Sequence, residues 1–305
     1  MKYEVAVVAD LCIDLLFQGN VTPIYGQVEQ FVDDYTVEIG GSAAIFAAQL
    51  TKLGGRVAFI GAVGDDAFGD FSTHRLQELG IASTYLQRLA GVKTAVGLGL
   101  AKQDDRAMLT YSGSMQALTA TYILQSGVLE QSRHLHLAGY YLLEQLHPFW
   151  ANTLSSLKAK GMTISLDTNW APKGNWEAIA PILPLVDVFI PNEAEAMRIS
   201  GQADVAAAGN WLAQYSGMTI IKQGAEGATV FQGNTIQHFA IPEFLLQDLH
   251  IADTTGAGDN FDAGFLYAWL QGAPLKNCVQ LAMQCGTRSL SQMGGIAGQI
   301  QHALL

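Results

Sequence analysis

Charge is scarce in this chain of 305 residues: Asp, Glu, Lys and Arg make up 14%, against roughly 25% in an average soluble domain. Basic residues are scarcest, 16 against 27 acidic ones, giving a net charge of −11 and a pI near 4.9. No basic patch is available to neutralise a phosphate backbone, which argues against a nucleic-acid partner. A bound anion must then be held by local devices such as backbone N–H groups, one or two lysines or a metal ion. Cysteine is nearly absent. Cys12, Cys278 and Cys285 show no C-x-x-C spacing and no adjoining His cluster, so a disulfide framework or zinc site is not expected, and reduced core thiols are. No apolar run reaches the roughly 18 residues of a membrane span. Met1 to Asp10 passes straight into a strand-like stretch, without a basic leader or small-residue cleavage site. The expectation is a soluble, cytoplasmic protein without membrane contact. Two nucleotide signatures are also missing: no G-x-x-x-x-G-K-[ST] occurs, and no G-x-G-x-x-G follows a strand.

What is present is apolar sequence, 50% of residues, together with 32 glycines. That balance suits a large buried sheet covered by helices. Strand patterns fall at Glu4–Asp10, Val57–Gly61, Leu135–Ala138, Met162–Asp167, Val186–Ile190, Thr219–Lys222 and Ala228–Phe231. Helical patterns fall at Ala43–Leu53, Phe68–Leu79, Phe149–Lys160 and around Trp211–Tyr215. Near-continuous apolar strands alternating with helices predict an α/β fold with a mostly parallel sheet covered on both faces, and ligands at the carboxyl ends of the strands. Leu15–Glu38 and Thr94–Tyr111 break the alternation; with turn signals at Gly19-Asn20, Tyr25-Gly26 and Gln103-Asp104-Asp105-Arg106, they read as strands of a small second layer. Asn260–Met293 is strongly helical apart from a break at Gly272-Ala273-Pro274. One domain, 1–305, is expected.

The most informative run is Asp253-Thr254-Thr255-Gly256-Ala257-Gly258-Asp259-Asn260-Phe261-Asp262-Ala263-Gly264, which follows a strand-like segment and opens a long apolar helix. Gly256, Ala257 and Gly258 leave the backbone bare at a helix N-terminus, where N–H groups and the positive end of the dipole favour an anion. Asp259 falls in the first turn, where a lone carboxylate can equally be a cap or dipole partner. The whole run resembles the second signature of the PfkB, or ribokinase-like, carbohydrate kinases, D-T-x-G-A-G-D. The resemblance implies a three-layer αβα fold and phosphorylation by ATP of a hydroxyl on a sugar or sugar-like molecule. Asp259 would be the general base, and the amides of Gly256 to Asp259 an anion hole for the transferring group. Phosphoryl transfer needs charge stabilisation and positioning more than covalent chemistry.

Other segments are similar to the same family in order along the chain. Gly40-Gly41-Ser42-Ala43-Ala44 and Gly61-Ala62-Val63-Gly64-Asp65-Asp66 look like the first signature, with adjacent glycines that let backbone approach a ligand. Asp14 matches an acidic residue that grips substrate hydroxyls, and Arg106 lies in a segment like the family's substrate lid, expected over about 14–39 and 92–111. Asn192 and Glu195 match N-x-x-E, linked to nucleotide and, through water, to Mg²⁺; alone they read as a capping arrangement. Ile221-Lys222-Gln223-Gly224-Ala225-Glu226-Gly227 resembles the strand and glycine turn over ATP, placing Lys222, Gly224 and Gly227 at the nucleotide, or else an ordinary hairpin turn. Many relatives hold K⁺ behind the anion hole; Asp253, Thr255, Ser289, Gln292, Gly294 and Gly298 match that site. The resemblance also allows a homodimer through the lid. One position departs: where relatives commonly carry Asn toward the substrate stands Ile45, which keeps a nucleoside kinase or a non-catalytic sugar or nucleotide sensor open beside a sugar kinase. His134 and His136 alternate on one strand and read as structural.

Overall fold

The computed structural model describes residues 1–8, 10–102, 105–247 and 249–301, and of residues 101, 102, 105 and 106 only the backbone. Two sheets form. The larger joins β1 (Tyr3–Val8), β4 (Val57–Gly64), β5 (Leu86–Leu89), β8 (Ser132–Leu137), β9 (Thr163–Leu166), β10 (Val188–Phe189), β11 (Thr219–Lys222), β12 (Ala228–Gln232) and β13 (Thr235–Phe239). Its order is β13-β12-β11-β10-β9-β8-β1-β4-β5. All neighbours from β11 to β5 are parallel; β12 and β13 are antiparallel additions.

The expected strands are present, because each is an apolar run buried on both faces. In β1, Ala6 and Val8 enter one core with Trp150 and Leu154 of the helix His147–Ala159, while Val5 and Val7 enter the other with Phe46 and Phe265. The layers are therefore helix, sheet, helix. The helices Ser42–Lys52, Ala257–Leu270 and Leu275–Ser289 supply much of the second core. Sequence patterning missed β5 and β13. Both are sheet edges: Leu86-Gln87-Arg88-Leu89 interleaves polar residues, and β13 is mostly exposed, so neither shows the apolar run of a buried strand. The stretch before Asp253, expected to be strand-like, is instead a short helix, Glu243–Leu246, followed by irregular backbone among the described residues.

The smaller sheet contains β2 (Cys12–Gln18), β3 (Asp34–Gly40), β6 (Val96–Lys102) and β7 (Asp105–Tyr111), in the order β3-β2-β6-β7. Both off-pattern segments thus form strands of a second sheet as expected, though β2 begins three residues before Leu15. Of the expected turn at 103–106, residues 103 and 104 lie outside the described residues. Among the described residues no helix is long and apolar enough to cross a membrane.

Candidate active site

The carboxyl ends of β1, β8, β9 and β11 converge on the N-termini of two helices. The first, Ser42–Lys52, starts from Gly41 at φ 90° without a side-chain cap of its own. Asp10, at the end of β1, supplies the cap from a distance: Oδ2 accepts the Ser42 N–H at 3.1 Å and Oδ1 accepts that of Ala43 at 3.0 Å. A Cβ on Gly41 would collide with the Asp10 carbonyl, so glycine is required by both its φ and the close approach. Burial pushes the Asp10 carboxyl up to about 6, against the pull of its backbone hydrogen bonds.

Asp14 lies on β2 and is buried. Its carboxylate occupies a slot left by Gly40 and Gly97, where a Cβ on Gly97 would stand 2.8 Å from Oδ1. The Cys12 thiol donates to Oδ1 at 3.3 Å. Gly40 is thus beside Asp14, whereas Gly41 lies against Asp10. Arg106 is on β7, opposite Ala101 of β6, and its side chain lies outside the described residues.

The second N-terminus is that of the helix Ala257–Leu270. Gly256 adopts φ 72° and is the N-cap of Ala257–Leu270, which puts Asp259 in the first turn. Buried Asn260 holds the entry: its Nδ2 donates to the carbonyls of Gly256 (2.8 Å) and Gly295 (2.9 Å). Ile45 is buried as well, with its methyl groups against Gly256 and Gly295. Asp259 keeps a partly accessible surface, yet desolvation carries its carboxyl up to about 7, reinforced by Asp167 and Asp10 and opposed by Lys222 and Ser42.

Lys222, at the end of β11, lies directly beneath this loop, 3.1 Å from where a Gly258 Cβ would stand. Its Nζ contacts Asp167 Oδ2 at 2.8 Å and the Asp262 carboxyl at 3.1 and 3.2 Å. Burial opposes the ammonium, but Asp167 and Asp262 outweigh it and hold Lys222 above its ordinary value. Burial likewise opposes ionisation of Asp167, but Lys222 holds that carboxyl at about 2; desolvation and the Asp167 charge push Asp262 well up. The two carboxyls therefore share one proton over one ammonium, a neutral buried set.

Asn192 and Glu195 form a reciprocal capping box at the start of the helix Glu193–Ser200: Asn192 N–H donates to Glu195 Oε2 and Glu195 N–H to Asn192 Oδ1, both at 2.9 Å. An isolated bridge between Asn192 and Lys222 sets this motif beside the lysine. Desolvation, with Asp167 adding to it, raises Glu195 to about 7. Gly224 (φ 54°) and Gly227 (φ 97°) frame the tight turn between β11 and β12.

Behind the Gly256–Gly258 loop, Asp253 Oδ1 accepts from Thr255 N–H and Oγ1–H, and Oδ2 accepts from Gly294 N–H at 2.9 Å. Ser289 is buried, with its carbonyl 2.7 Å from where a Gly298 Cβ would stand; Gln292 is exposed. His134 and His136 are buried between β8 and β9: both bond to Ser165, His134 also to Thr163, and His136 stacks on Phe46. Burial lowers both imidazoles, leaving them neutral.

Sequence reasoning gave no role to Asp10, Ser42, Asp167, Asn169 and Asp262. Asp10 and Asp167 each end a buried strand, where a carboxylate must find partners, and that is the signal that could have found them.

A parallel sheet with a carboxylate and a bare helix N-terminus at its carboxyl edge makes an α/β protein with an anion-binding site. The fold is that of a protein from Escherichia coli provisionally assigned as ribokinase II, which superposes with a TM-score of 0.87 at 22% identity, over 99% of this chain and 97% of that one. The model of the pfkB family of carbohydrate kinases matches residues 2–302, so the chain belongs to that family. Its relatives include a ribokinase from Lactococcus lactis, 25% identical over 97% of this chain and 93% of that protein, and a fructokinase from Escherichia coli, 27% identical over 97% and 96%. The reaction class is ATP-dependent phosphorylation of a sugar-like substrate.

Proposed function

We propose that Asp259 is the general base, taking the proton from the acceptor hydroxyl as the phosphoryl group arrives. The observation that carries this reading is the joint placement of Asp259 and the Gly256–Gly258 backbone at one helix N-terminus, with a carboxyl pKa of about 7, suited to proton transfer near neutrality. The amides of Gly256, Ala257 and Gly258 stabilise charge developing on the phosphoryl oxygens. Asp14, Gly40 and Gly41 hold the substrate under the small sheet, which with Arg106 serves as a lid belonging to the same single domain. Ile45 shapes the pocket floor through Gly256 and Gly295. Asn192, Glu195, Gly224 and Gly227 border the nucleotide, and Lys222 supports it from below the loop.

The Escherichia coli structure holds ATP and Mg²⁺. The buried Glu195 carboxyl, raised toward neutrality, fits a nearby cation: Mg²⁺ bound through water would keep it ionised and would supply charge neutralisation of the phosphates. Potassium fits the Asp253 loop less simply, because both carboxylate oxygens already accept protein hydrogen bonds; the carbonyls near Ser289 and Gly298 would be its main donors. The fold carries exposed Phe31, Tyr35, Leu109 and Tyr111 on or beside the small sheet, a surface suited to a second copy of the chain, and a cytoplasmic location accords with its free cysteines. ADP release measured across sugars, sugar acids and nucleosides tests the central reading. Turnover of at least one sugar-like acceptor, lost in Asp259→Asn, is expected; turnover undiminished in that variant overturns it.

A further inference from the structure

Asn260 stands one turn into the helix Ala257–Leu270 and is fully buried. Both protons of its side-chain amide are used: one goes back to the Gly256 carbonyl at 2.8 Å, the other out to the Gly295 carbonyl at 2.9 Å. Carbonyls only accept, so the nitrogen is the atom that must face them. The Gly256 carbonyl also takes the Asn260 backbone N–H, at 2.9 Å. That oxygen therefore holds two hydrogen bonds from one residue, and the rigid peptide plane between Gly256 and Ala257 cannot turn without straining both. The opposite edge of the same plane carries the Ala257 N–H, whose bond to the Thr254 carbonyl is long, 3.4 Å.

The supporting segment is tied at both ends of the loop. Gly294 N–H donates to Asp253 before it, at 2.9 Å, and the Gly295 carbonyl accepts from Asn260 after it. The backbones of Gly256 and Gly295 meet closely, since a Cβ on Gly256 would stand 2.9 Å from the Gly295 Cα. Asn260 Oδ1 is buried and accepts no hydrogen bond among the described residues. An unpaired buried oxygen counts against stability, so what the amide contributes lies in its two N–H bonds.

We propose that Asn260 is a positioning residue for phosphoryl transfer, locking the Gly256–Ala257 peptide so that the Ala257 N–H stays turned toward the transferring group. This rests on the reading of Asp259 and the Gly256–Gly258 backbone as one site. A donor fixed in advance acts on charge that develops in the transition state and needs no rearrangement at that moment. Loss of such positioning lowers kcat and spares KM, because the bond strengthens only as the phosphoryl group leaves ADP.

The test is steady-state kinetics of the full-length protein with MgATP and the best acceptor among sugars, sugar acids and nucleosides, with a melting curve for each variant. Asn260→Ala is expected to lower kcat about 10- to 100-fold, less than outright deletion of a donor, with both KM values within about threefold of native. Asn260→Ser is expected to recover most of that kcat, because a serine hydroxyl in a helix reaches the carbonyl four residues back. Its single proton cannot serve Gly295 as well, so a role confined to that contact and to stability would depress both variants equally. A kcat for Asn260→Ala within about threefold of native overturns the proposal, as does an equal loss in Asn260→Ser or a loss carried by KM. If Asn260→Ala does not fold, Asn260→Cys, which fills more of the space without a strong donor, is read by the same criteria. Failure of the underlying reading is seen separately, as turnover surviving in Asp259→Asn, whatever the variants at residue 260 show.

Discussion

Lys222 Nζ and Asp167 Oδ2 meet at 2.8 Å in the interior, tying the end of β11 to the end of β9 immediately under the loop that carries Asp259. With Asp262 as third member, the lysine links both strands to the helix Ala257–Leu270. Ion pairs of this kind matter chiefly through the cost of leaving one partner alone.

Lys222→Met should therefore destabilise the protein by about 3 kcal/mol, since it strands the Asp167 charge beside Asp262. Adding Asp167→Asn should recover much of that loss, because the remaining groups are then neutral. Chemical denaturation of both single variants and the double variant measures this; independent, additive effects would contradict the coupling.

Asp259→Asn should lower turnover roughly 10²–10⁴-fold while sparing ATP affinity, and it should also stabilise the fold. The Asp259 carboxyl is raised from 3.8 to about 7 on folding, so folding binds its proton more tightly. That contribution is complete below about 3.8 and is lost as pH rises through about 7. The variant should accordingly gain on the order of 1 kcal/mol over the native protein at pH 8, with the gain shrinking toward pH 5. Melting curves at pH 5, 6.5 and 8 supply the check.

Turnover should rise with pH toward a plateau above neutrality. The Asp259 and Glu195 carboxyls are both raised to about 7, and the Asp259 charge adds to the rise of Glu195, so the profile of kcat/KM belongs to the pair and is steeper than one ionisation gives. Glu195→Gln should leave a single ionisation with a lower midpoint. An unchanged slope and midpoint in that variant would assign the limb to Asp259 alone.

Ile45→Asn tests whether residue 45 faces the core or the acceptor. Since Ile45 packs on Gly256 and Gly295, an amide there lacks room for new partners and should cost about 2–3 kcal/mol. Turnover should fall as Gly256 shifts, with the ranking of sugar acceptors preserved. A stable variant with a reordered acceptor profile would place residue 45 against substrate instead.

Gly41→Ala should be more severe than an ordinary surface change. Its φ of 90° and the Asp10 carbonyl both exclude a side chain, so the helix start must move away from the Asp10 cap. A KM for the acceptor raised at least ten-fold, measured at saturating ATP, is the expected outcome; a loss confined to the KM for ATP would not fit.

Much of this protein was legible in one dimension. Buried strands such as Val57–Gly64 announce themselves because a strand covered on both faces must be apolar throughout. The run Asp253 to Gly264 fixes its own geometry, since glycines at a helix start leave N–H groups free and put Asp259 in the first turn. Edge strands Leu86–Leu89 and Thr235–Phe239 did not announce themselves, because one-sided exposure lets polar residues in. Nor could the sequence pair Lys222 with Asp167 and Asp262, aim Asn169 at Ser42, or cap residues 42 and 43 with Asp10. Those contacts span 40 and 55 residues, 127 residues, and 32 and 33 residues. Only the order in which the strands are laid side by side brings them to one edge of the sheet. Local pattern determined the elements and the loop that carries Asp259. Tertiary structure decided which buried charges face one another, because desolvation and partner distance, which set a carboxyl's proton affinity, exist only after the chain has folded.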